Sequence, residues 1–317
     1  MNGHNLKISW VAAIVLLTIA CQDKEVLKKE EDQKILPKMS LSSKNLLMSS
    51  IAESYTLPSK ANIGNNKVKV YMAEYLTNGK NGAAGNIIYF NDRGNKHLDA
   101  DFVPTLSLDV SKDISYAVDM SRPSSSLNVQ VTEKAIDRAM QTWDHVKCSD
   151  LRIKKIQSST TSTGLIPLIY GYGGSSGYVA DINHGGFLPA RFFDLIAPNG
   201  GNFILAVTFT IVFSDQFGNP LDSDHDNKAD VAWREIYYNN SLNWNDGSDY
   251  DVESIALHES GHGLSQAHFG KAFRSGNGKL HFAPKAVMNA AYSGVQTEIS
   301  KTDLGGHCSI WGSWPKN

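Results

Sequence analysis

Apolar residues fall into runs that predict several strands along this chain. The run NFILAVTFTIVF (residues 202–213) is apolar almost throughout, which is typical of a central strand that is buried on both faces. Shorter runs predict further strands at NIIYF (86–90), ISYAVDM (114–120), LRIKKI (151–156) and LIPLIYGY (165–172). No internal repeat is visible. The chain therefore predicts a sheet assembled from short, unequal strands.

Two other segments show the 3.6-residue spacing of amphipathic helices. In TEKAIDRAMQTWDHVKC, which begins at Thr132, the residues with helical spacing are Ala135, Ala139, Met140, Trp143 and Val146. In YDVESIAL, one face carries Val252, Ile255, Ala256 and Leu257. Thr132 and Asp251 are the expected N-caps, and Glu253 adds negative charge to the first turn of the second helix. Helices mixed with these strands predict an α+β fold.

Three histidines and a glutamate follow directly in HESGHGLSQAHFG, which begins at His258. If the helix continues, His258 and His262 lie on one face, and both imidazoles reach the same metal ion. Glu259 then stands beside the ion, where a general base accepts a proton from a metal-activated water. His268 joins them only if the chain turns back after about Leu264. Three nitrogen ligands leave a fourth position open, as in catalytic zinc sites, whereas scattered histidines on a surface helix are the alternative.

HESGHGLSQAH resembles the extended zinc motif HExxHxxGxxH of the metzincin metallopeptidases, and AVMNAAYSG, with Met288, resembles their Met-turn. The likeness is closest to the matrixins and their bacterial relatives, from about Val131 to the C-terminus. It implies a metzincin-like zincin domain, with a mixed twisted sheet, an active-site helix, a backing helix and a C-terminal helix. It also implies roles for six residues: zinc ligands His258, His262 and His268, general base Glu259, hydrophobic floor Met288, and Tyr292 near the wall of the specificity pocket.

The chain departs from the family pattern at Ser265, where the family has a glycine at the end of the helix. A serine with positive φ costs about 1 kcal/mol.

HGGFLPARFF (184–193) resembles the family segment that includes the edge strand above the cleft, to which a peptide adds as another strand. Matrixins hold a structural zinc in this region, but its full ligand set is not recognisable, so Asp181 and His184 are interpreted as ordinary polar loop residues. Residues 51–81 contain no cysteine, so the cysteine switch of matrixins has no ligand there.

The composition predicts a folded core, and the N-terminus predicts export from the cytoplasm. The 317 residues are 41% hydrophobic and 20% charged, which suffices for a sizeable core, and a net charge of −2 gives no electrostatic reason to expect nucleic acid. ISWVAAIVLLTIAC is too short for a comfortable membrane span and suits a signal peptide. Its LTIAC end resembles a bacterial lipoprotein signal with lipidation at Cys21, whereas an uncleaved anchor and an ordinary secretory signal are alternatives. The predicted division is a signal peptide (1–21), a flexible tether or pro-region (22–84) and a catalytic domain (85–317).

Two further features bear on stability. Export allows Cys148 and Cys308 to form a disulfide, with two buried thiols as the alternative. The acidic run DSDHDNKAD predicts a calcium site, and its candidate ligands are Asp222, Asp224, Asp226 and Asp230. The EF-hand pattern fails there, because Asn227 replaces the usual glycine and Trp233 replaces the bidentate glutamate. A solvated acidic turn is the alternative.

The predicted function is that of a monomeric, exported, lipid-anchored zinc endopeptidase, which acts on a peptide or protein substrate. The alternative is a catalytically weak or inactive module on the same fold, which holds peptides or glycans at the cell surface. Ser265 is the feature that favours this alternative.

Overall fold

The structure is a computed structural model that describes residues 55–56, 67–80, 97–277 and 279–315. The predicted signal peptide, Cys21 and the NIIYF segment lie outside these residues. Within them the chain is α+β, as predicted, with a mixed twisted sheet of eight strands, two two-stranded sheets and five α-helices. No helix in these ranges is long and apolar enough to cross a bilayer.

The main sheet is mixed, and its order does not follow the order of the chain. Its strands are β1 (Tyr55–Thr56), β2 (Lys67–Thr77), β3 (Ala100–Asp101), β4 (Ile114–Val118), β5 (Ile153–Lys155), β6 (Ile182–Leu188), β7 (Ile204–Ser214) and β8 (Ala229–Asn239). They lie in the order β1-β2-β7-β8-β6-β4-β5, and β3 pairs with β8. Strand β7 is antiparallel to both β2 and β8, whereas β8, β6, β4 and β5 are parallel. The small sheets pair β9 (Trp244–Asn245) with β10 (Tyr250–Asp251) and β11 (Lys271–Arg274) with β12 (Leu280–Ala283).

Helices cover both faces of this sheet. They are α1 (Val129–Asp144), α2 (Leu165–Ile169), α3 (Ala190–Phe193), α4 (Val252–Gly263) and α5 (Lys301–Trp311). Side chains of α1, α4 and α5 form one core cluster with one face of the sheet, and those of α2 and α3 form a second cluster with the other face. Two buried indoles fix α4 in place, because Trp143 donates to the Leu257 carbonyl (2.9 Å) and Trp311 donates to the Leu264 carbonyl (3.0 Å).

The long apolar run predicted as a central strand is confirmed as β7, whose eleven residues are all buried. ISYAVDM is confirmed as β4, and LRIKKI forms only the three-residue strand β5. The prediction for LIPLIYGY is wrong, because Leu165–Ile169 is the helix α2. Pro167 lies in the first turn of that helix, where its missing N–H costs nothing, and the Glu235 carboxylate accepts the backbone N–H groups of Leu165 and Ile166.

Both predicted long helices are present, although one begins earlier than expected. Asp251 is confirmed as the N-cap of α4, where its carboxylate accepts the Ser254 N–H at 2.9 Å. The predicted cap of α1 is wrong. Asn128 caps this helix by accepting the N–H groups of Gln130 and Val131, and Thr132 lies inside the first turn.

The segment predicted to include an edge strand is instead interior. Strand β6 lies between β4 and β8, and all seven of its residues are buried. A Cβ atom at Gly185 would lie 2.3 Å from the Tyr237 ring, so this glycine permits close packing of the kind found inside a protein. Strand β7 lies along α4. One edge of β7 pairs with β8, and the other edge pairs with β2.

Strand β2 lies within the segment predicted as a tether or pro-region. Lys67 and Lys69 alternate with the buried Val68 and Val70, a period-two pattern that indicates a strand with one buried face. Between residues 22 and 84, thirteen residues therefore belong to the main sheet, eleven in β2 and two in β1.

A disulfide joins Cys148, just beyond the end of α1, to Cys308 in α5. It spans 160 residues of sequence and ties the C-terminal helix to the helix that packs against α4.

Candidate active site

Three histidine side chains converge at the end of α4. The Nε2 atoms of His258 and His262 lie 3.1 Å apart, and each lies 3.0 Å from Nε2 of His268. All three side chains are buried. His258 and His262 share a helix face as predicted, and His268 reaches them because the chain reverses after α4.

The other ring nitrogens fix the tautomers of two of these histidines. Nδ1 of His258 lies 2.6 Å from the Val287 carbonyl, and Nδ1 of His262 lies 2.7 Å from the Gln266 carbonyl. A carbonyl only accepts hydrogen bonds, so each Nδ1 carries the proton and each Nε2 presents a lone pair. Burial also lowers the pKa of both imidazoles well below the usual value, which keeps them neutral.

This donor set fits a metal ion. Two adjacent lone pairs about 3 Å apart repel each other, and a cation between them removes that repulsion. Nitrogens bound to zinc at about 2.0–2.1 Å in a tetrahedron lie about 3.3 Å from one another, close to the separations here. These residues therefore fit zinc in the chemistry and the spacing of the three nitrogens.

Glu259 is buried immediately beside the first histidine. Its Oε2 accepts the Thr208 hydroxyl at 2.6 Å, and its Oε1 makes no hydrogen bond among the described residues. Burial raises the pKa of this carboxyl to about 8, whereas the Thr208 hydroxyl and the nearby backbone of Leu76 lower it. One oxygen is thus held in place, while the other has no hydrogen-bond partner in the described part of the chain.

The turn that returns His268 depends on Ser265 and on a buried arginine. Ser265 has φ of 66°, a left-handed conformation that glycine adopts without steric cost and serine does not. Arg234 of β8 donates to the Gly263 carbonyl (2.8 Å) and to the Ser265 hydroxyl (2.9 Å). Arg234 was not predicted from the sequence, although the charged residues Asp230, Arg234 and Glu235 within the largely apolar segment ADVAWREIYY were a signal. The hydrogen bond from Arg234 offsets the conformational cost of serine at this turn.

Substitutions at Ser265 are expected to separate the cost of its left-handed backbone from the contribution of the Arg234 hydrogen bond. Ser265→Ala keeps the left-handed backbone and loses the hydrogen bond, so the free energy of unfolding should fall by about 2 kcal/mol. Ser265→Gly also loses the hydrogen bond but relieves the backbone cost, so the loss should be nearer 1 kcal/mol. Urea denaturation of both variants and the parent measures this order. A glycine variant more stable than the parent would show that the Arg234 hydrogen bond contributes less than the left-handed backbone of serine costs.

Met288, the predicted Met-turn residue, packs against α4. A Cβ atom at Gly261 would lie 2.2 Å from its sulfur, so the thioether packs directly against the helix. Asp303 of α5 holds this loop, because its carboxylate accepts the N–H groups of Val287 (3.0 Å) and Met288 (3.1 Å). Asp303 also completes a capping box with Ser300. Sequence analysis missed this residue, although S-x-x-D at the start of a helix is a known signal.

A small cavity opens beside His258. Residues of α4, the loop around Met288 and strand β2 line it, among them Ser254, Val287, Tyr292 and Leu76. Tyr292 is thus in the cavity wall, and Leu76 brings the end of β2 into contact with the site.

Asp181 and His184 are both buried, and the interpretation of His184 as a loop residue is wrong because it lies in β6, whereas Asp181 lies in the loop just before that strand. Asp181 accepts the Ser115 N–H and hydroxyl, both at 2.8 Å, and the Tyr178 hydroxyl at 3.0 Å. His184 is part of β6, and its Nδ1 lies 2.8 Å from the Tyr238 hydroxyl. Neither residue belongs to a cluster of metal-binding groups within the described ranges. Hydrogen bonds to neighbouring side chains and backbone account for both residues, because polar groups buried inside a protein need such partners.

Asp181 is expected to make stability fall as the pH rises. Burial raises the pKa of its carboxyl from 3.8 to about 6, so the folded state holds this proton more tightly than the unfolded state. The free energy of unfolding should therefore decrease between about pH 4 and pH 6, by about 3 kcal/mol from this group. Asp181→Asn should remove that decrease. Chemical denaturation of parent and variant across pH 4–7 isolates the effect, since both proteins share every other titrating group, and parallel curves would contradict it.

The acidic loop brings together three of its four predicted calcium ligands. Carboxylate oxygens of Asp222, Asp224 and Asp226 lie within 4.8 Å of one another. Asp230 is buried outside this group, and Lys228 forms ion pairs with Asp226 and Asp101. The loop therefore offers a partly neutralised, exposed acidic cluster.

In comparisons with known proteins, the sequence matches no family model, and it matches none of the curated proteins.

Proposed function

We propose that this chain is a zinc-dependent endopeptidase of the metzincin type, similar to the matrixins. The observation that carries the proposal is the convergence of three histidine Nε2 atoms, 3.0–3.1 Å apart, beside the buried carboxylate of Glu259. His258, His262 and His268 are the proposed ligands. A zinc ion held there supplies Lewis acidity, which polarises a peptide carbonyl and lowers the pKa of a water molecule to about 7.

The residues of the chain have distinct roles in this reaction. Glu259 would act in its ionised form, which a cation held by the three histidines favours over the protonated form; its Oε1 accepts the proton of the attacking water and then donates it to the departing amine. Thr208 orients this carboxylate through Oε2. The carbonyls of Val287 and Gln266 hold the ligand rings by their Nδ1 protons, which keeps Nε2 available for the metal. Burial of all these groups excludes bulk water and strengthens each electrostatic contact.

The test measures metal and hydrolysis separately. Purified protein should contain one zinc per chain by atomic absorption, and His262→Ala should lose it. Casein hydrolysis should stop with 1,10-phenanthroline and resume on addition of zinc. The hydrolysis assay uses a Leu76→Ser chain. In this chain a smaller side chain replaces the leucine that lines the cavity beside His258. Protein without zinc would contradict the proposal, and zinc-loaded protein without hydrolysis would favour the peptide- or glycan-binding module.

The setting proposed for this activity is the outside of the cell. The chain is proposed to be exported, lipidated at Cys21 and anchored to the membrane by lipid alone, and to act as a monomer on peptide or protein substrates.

We also propose that Asp222, Asp224 and Asp226 bind calcium weakly, in the millimolar range typical of extracellular modules. Ligand binding to the folded state raises its stability, so millimolar calcium should raise the melting temperature by about 3 °C. Asp224→Asn should abolish the shift, since the exposed Asp224 carboxylate belongs to this cluster. Magnesium at the same concentration is the control. An unchanged melting temperature would favour the solvated acidic turn.

A further inference from the structure

We infer that the end of strand β2, from Glu74 to Thr77, occupies the peptide cleft of this site as a built-in ligand that keeps the enzyme latent. This inference rests on the proposed function, and it supplies a blocking group in a region that lacks a cysteine.

The backbone of this segment is paired on both sides, as that of a bound peptide would be. On one side β2 runs antiparallel to β7, with Tyr75 opposite Val207 and Leu76 opposite Ala206. On the other side Thr77 pairs in parallel with Ala291, and its carbonyl accepts the Tyr292 N–H at 2.8 Å. Strand addition of this kind recognises an extended peptide by its backbone. The segment is thus held between β7 and the loop that follows Met288.

The same segment passes directly over the candidate catalytic groups. Oε2 of Glu74 lies 3.6 Å from Nδ1 of His268. Glu74 also lies opposite Thr208, whose hydroxyl donates to the Glu259 carboxylate at 2.6 Å, and two residues later Leu76 lines the cavity beside His258. The Tyr75–Leu76 peptide lies between these contacts. A substrate that used the same backbone partners would have to displace it.

The side chain of Leu76 also occupies a defined position. It is buried and lines the cavity beside His258, together with Val287 and Tyr292. Buried apolar contacts hold the strand end in addition to its backbone hydrogen bonds. The part of β2 before this segment packs elsewhere, because Val68, Val70 and Ala73 belong to the core cluster on the opposite face of the sheet, as does Tyr75 within the segment. A substitution at Leu76 can therefore release the end of β2 from the cleft while the first part of the strand stays in the sheet.

The occupancy itself is tested by peptide binding, in chains that also carry Glu259→Gln so that the probe is not cut. The probe is the fluorescently labelled peptide AEYLTNGK, which copies residues 73–80. Leu76→Ser exposes the cleft, so this chain should bind the probe saturably in fluorescence anisotropy, at least about tenfold more tightly than the chain with Leu76. A probe of scrambled sequence should not bind. Equal binding to both chains, or binding to neither, would overturn the inference.

Hydrolysis provides a second readout in chains that retain Glu259. Casein cleavage by Leu76→Ser should be at least about tenfold faster than cleavage by the parent. Val68→Ser is the matched control, because it also replaces a buried aliphatic residue of β2 but lies at the far end of the strand. It should cleave at the rate of the parent. Equal rates for the parent and Leu76→Ser would overturn latency, whereas probe binding without any hydrolysis would support the occupancy and count against the peptidase.

A second variant guards against misfolding of Leu76→Ser. Thr77→Pro removes the backbone N–H on the side of Ala291 without changing the cavity. It should also increase probe binding, and zinc content with a cooperative melting curve confirms that each variant is folded. Folded Thr77→Pro and Leu76→Ser chains that both exclude the probe would overturn the inference.

Discussion

Replacement of Glu259 with glutamine is expected to slow peptide hydrolysis by about a thousandfold and to leave zinc bound at one ion per chain. Proton transfer by a positioned side chain contributes roughly 10²–10⁴ to such reactions, and an amide neither accepts nor donates that proton usefully. The amide is nearly isosteric and can still accept the Thr208 hydroxyl, so the helix and its histidines should stay in place. Cleavage of a quenched fluorescent peptide in the Leu76→Ser chain measures the rate.

Glu253 provides the matched control for this prediction. It lies on the same helix, one turn and a half earlier, and its carboxylate pairs with Arg138 at the surface. Glu253→Gln should retain the rate of its parent chain. If Glu259→Gln did so as well, another group would have to carry the proton.

Removal of the disulfide is expected to produce the largest loss of stability. Loop-closure entropy for a link that spans 160 residues amounts to about 5 kcal/mol as an upper value. The double variant Cys148→Ser/Cys308→Ser should therefore unfold at a much lower denaturant concentration than the oxidised parent. The parent in the presence of reductant is the control and should show the same loss. Coincident unfolding curves of the double variant and the oxidised parent would contradict the prediction.

The same variant should also bind zinc less tightly. Asp303 lies on the helix that the disulfide holds, and its carboxylate fixes the backbone of Val287 and Met288. The Val287 carbonyl in turn orients the ring of His258. Second-shell contacts of this kind change metal affinity by roughly 10- to 100-fold when lost. Competition with a zinc chelator, under conditions where the variant remains folded, measures the change.

Predictions from sequence succeeded where the determinants lie within a few residues of each other. Helix α4, its cap at Asp251 and the shared face of His258 and His262 all follow from helical periodicity and from one local hydrogen bond. The apolar run of β7 likewise predicted a buried strand, because a strand buried on both faces needs no polar alternation.

Predictions failed where a distant partner decides the conformation. LIPLIYGY forms a helix because Glu235, which lies 70 and 69 residues further along the chain, accepts the N–H groups of Leu165 and Ile166. The edge strand was misplaced because strand order depends on which segments pair, and nothing local to β6 specifies its neighbours. The burial of Asp181 was not predicted because its partners, Ser115 above all, come from a strand 66 residues away in the sequence.

The sequence alone determined two of the three histidine positions, the neighbouring carboxylate and the helix that carries them, since each depends on the fixed geometry of a single helix. Only the tertiary structure decided the rest. Arg234, reaching from β8, stabilises the left-handed turn at Ser265 that returns His268, and pairing with β7 brings β2 over the site. Such contacts depend on the free energy of packing separate elements together, which no local pattern of residues encodes.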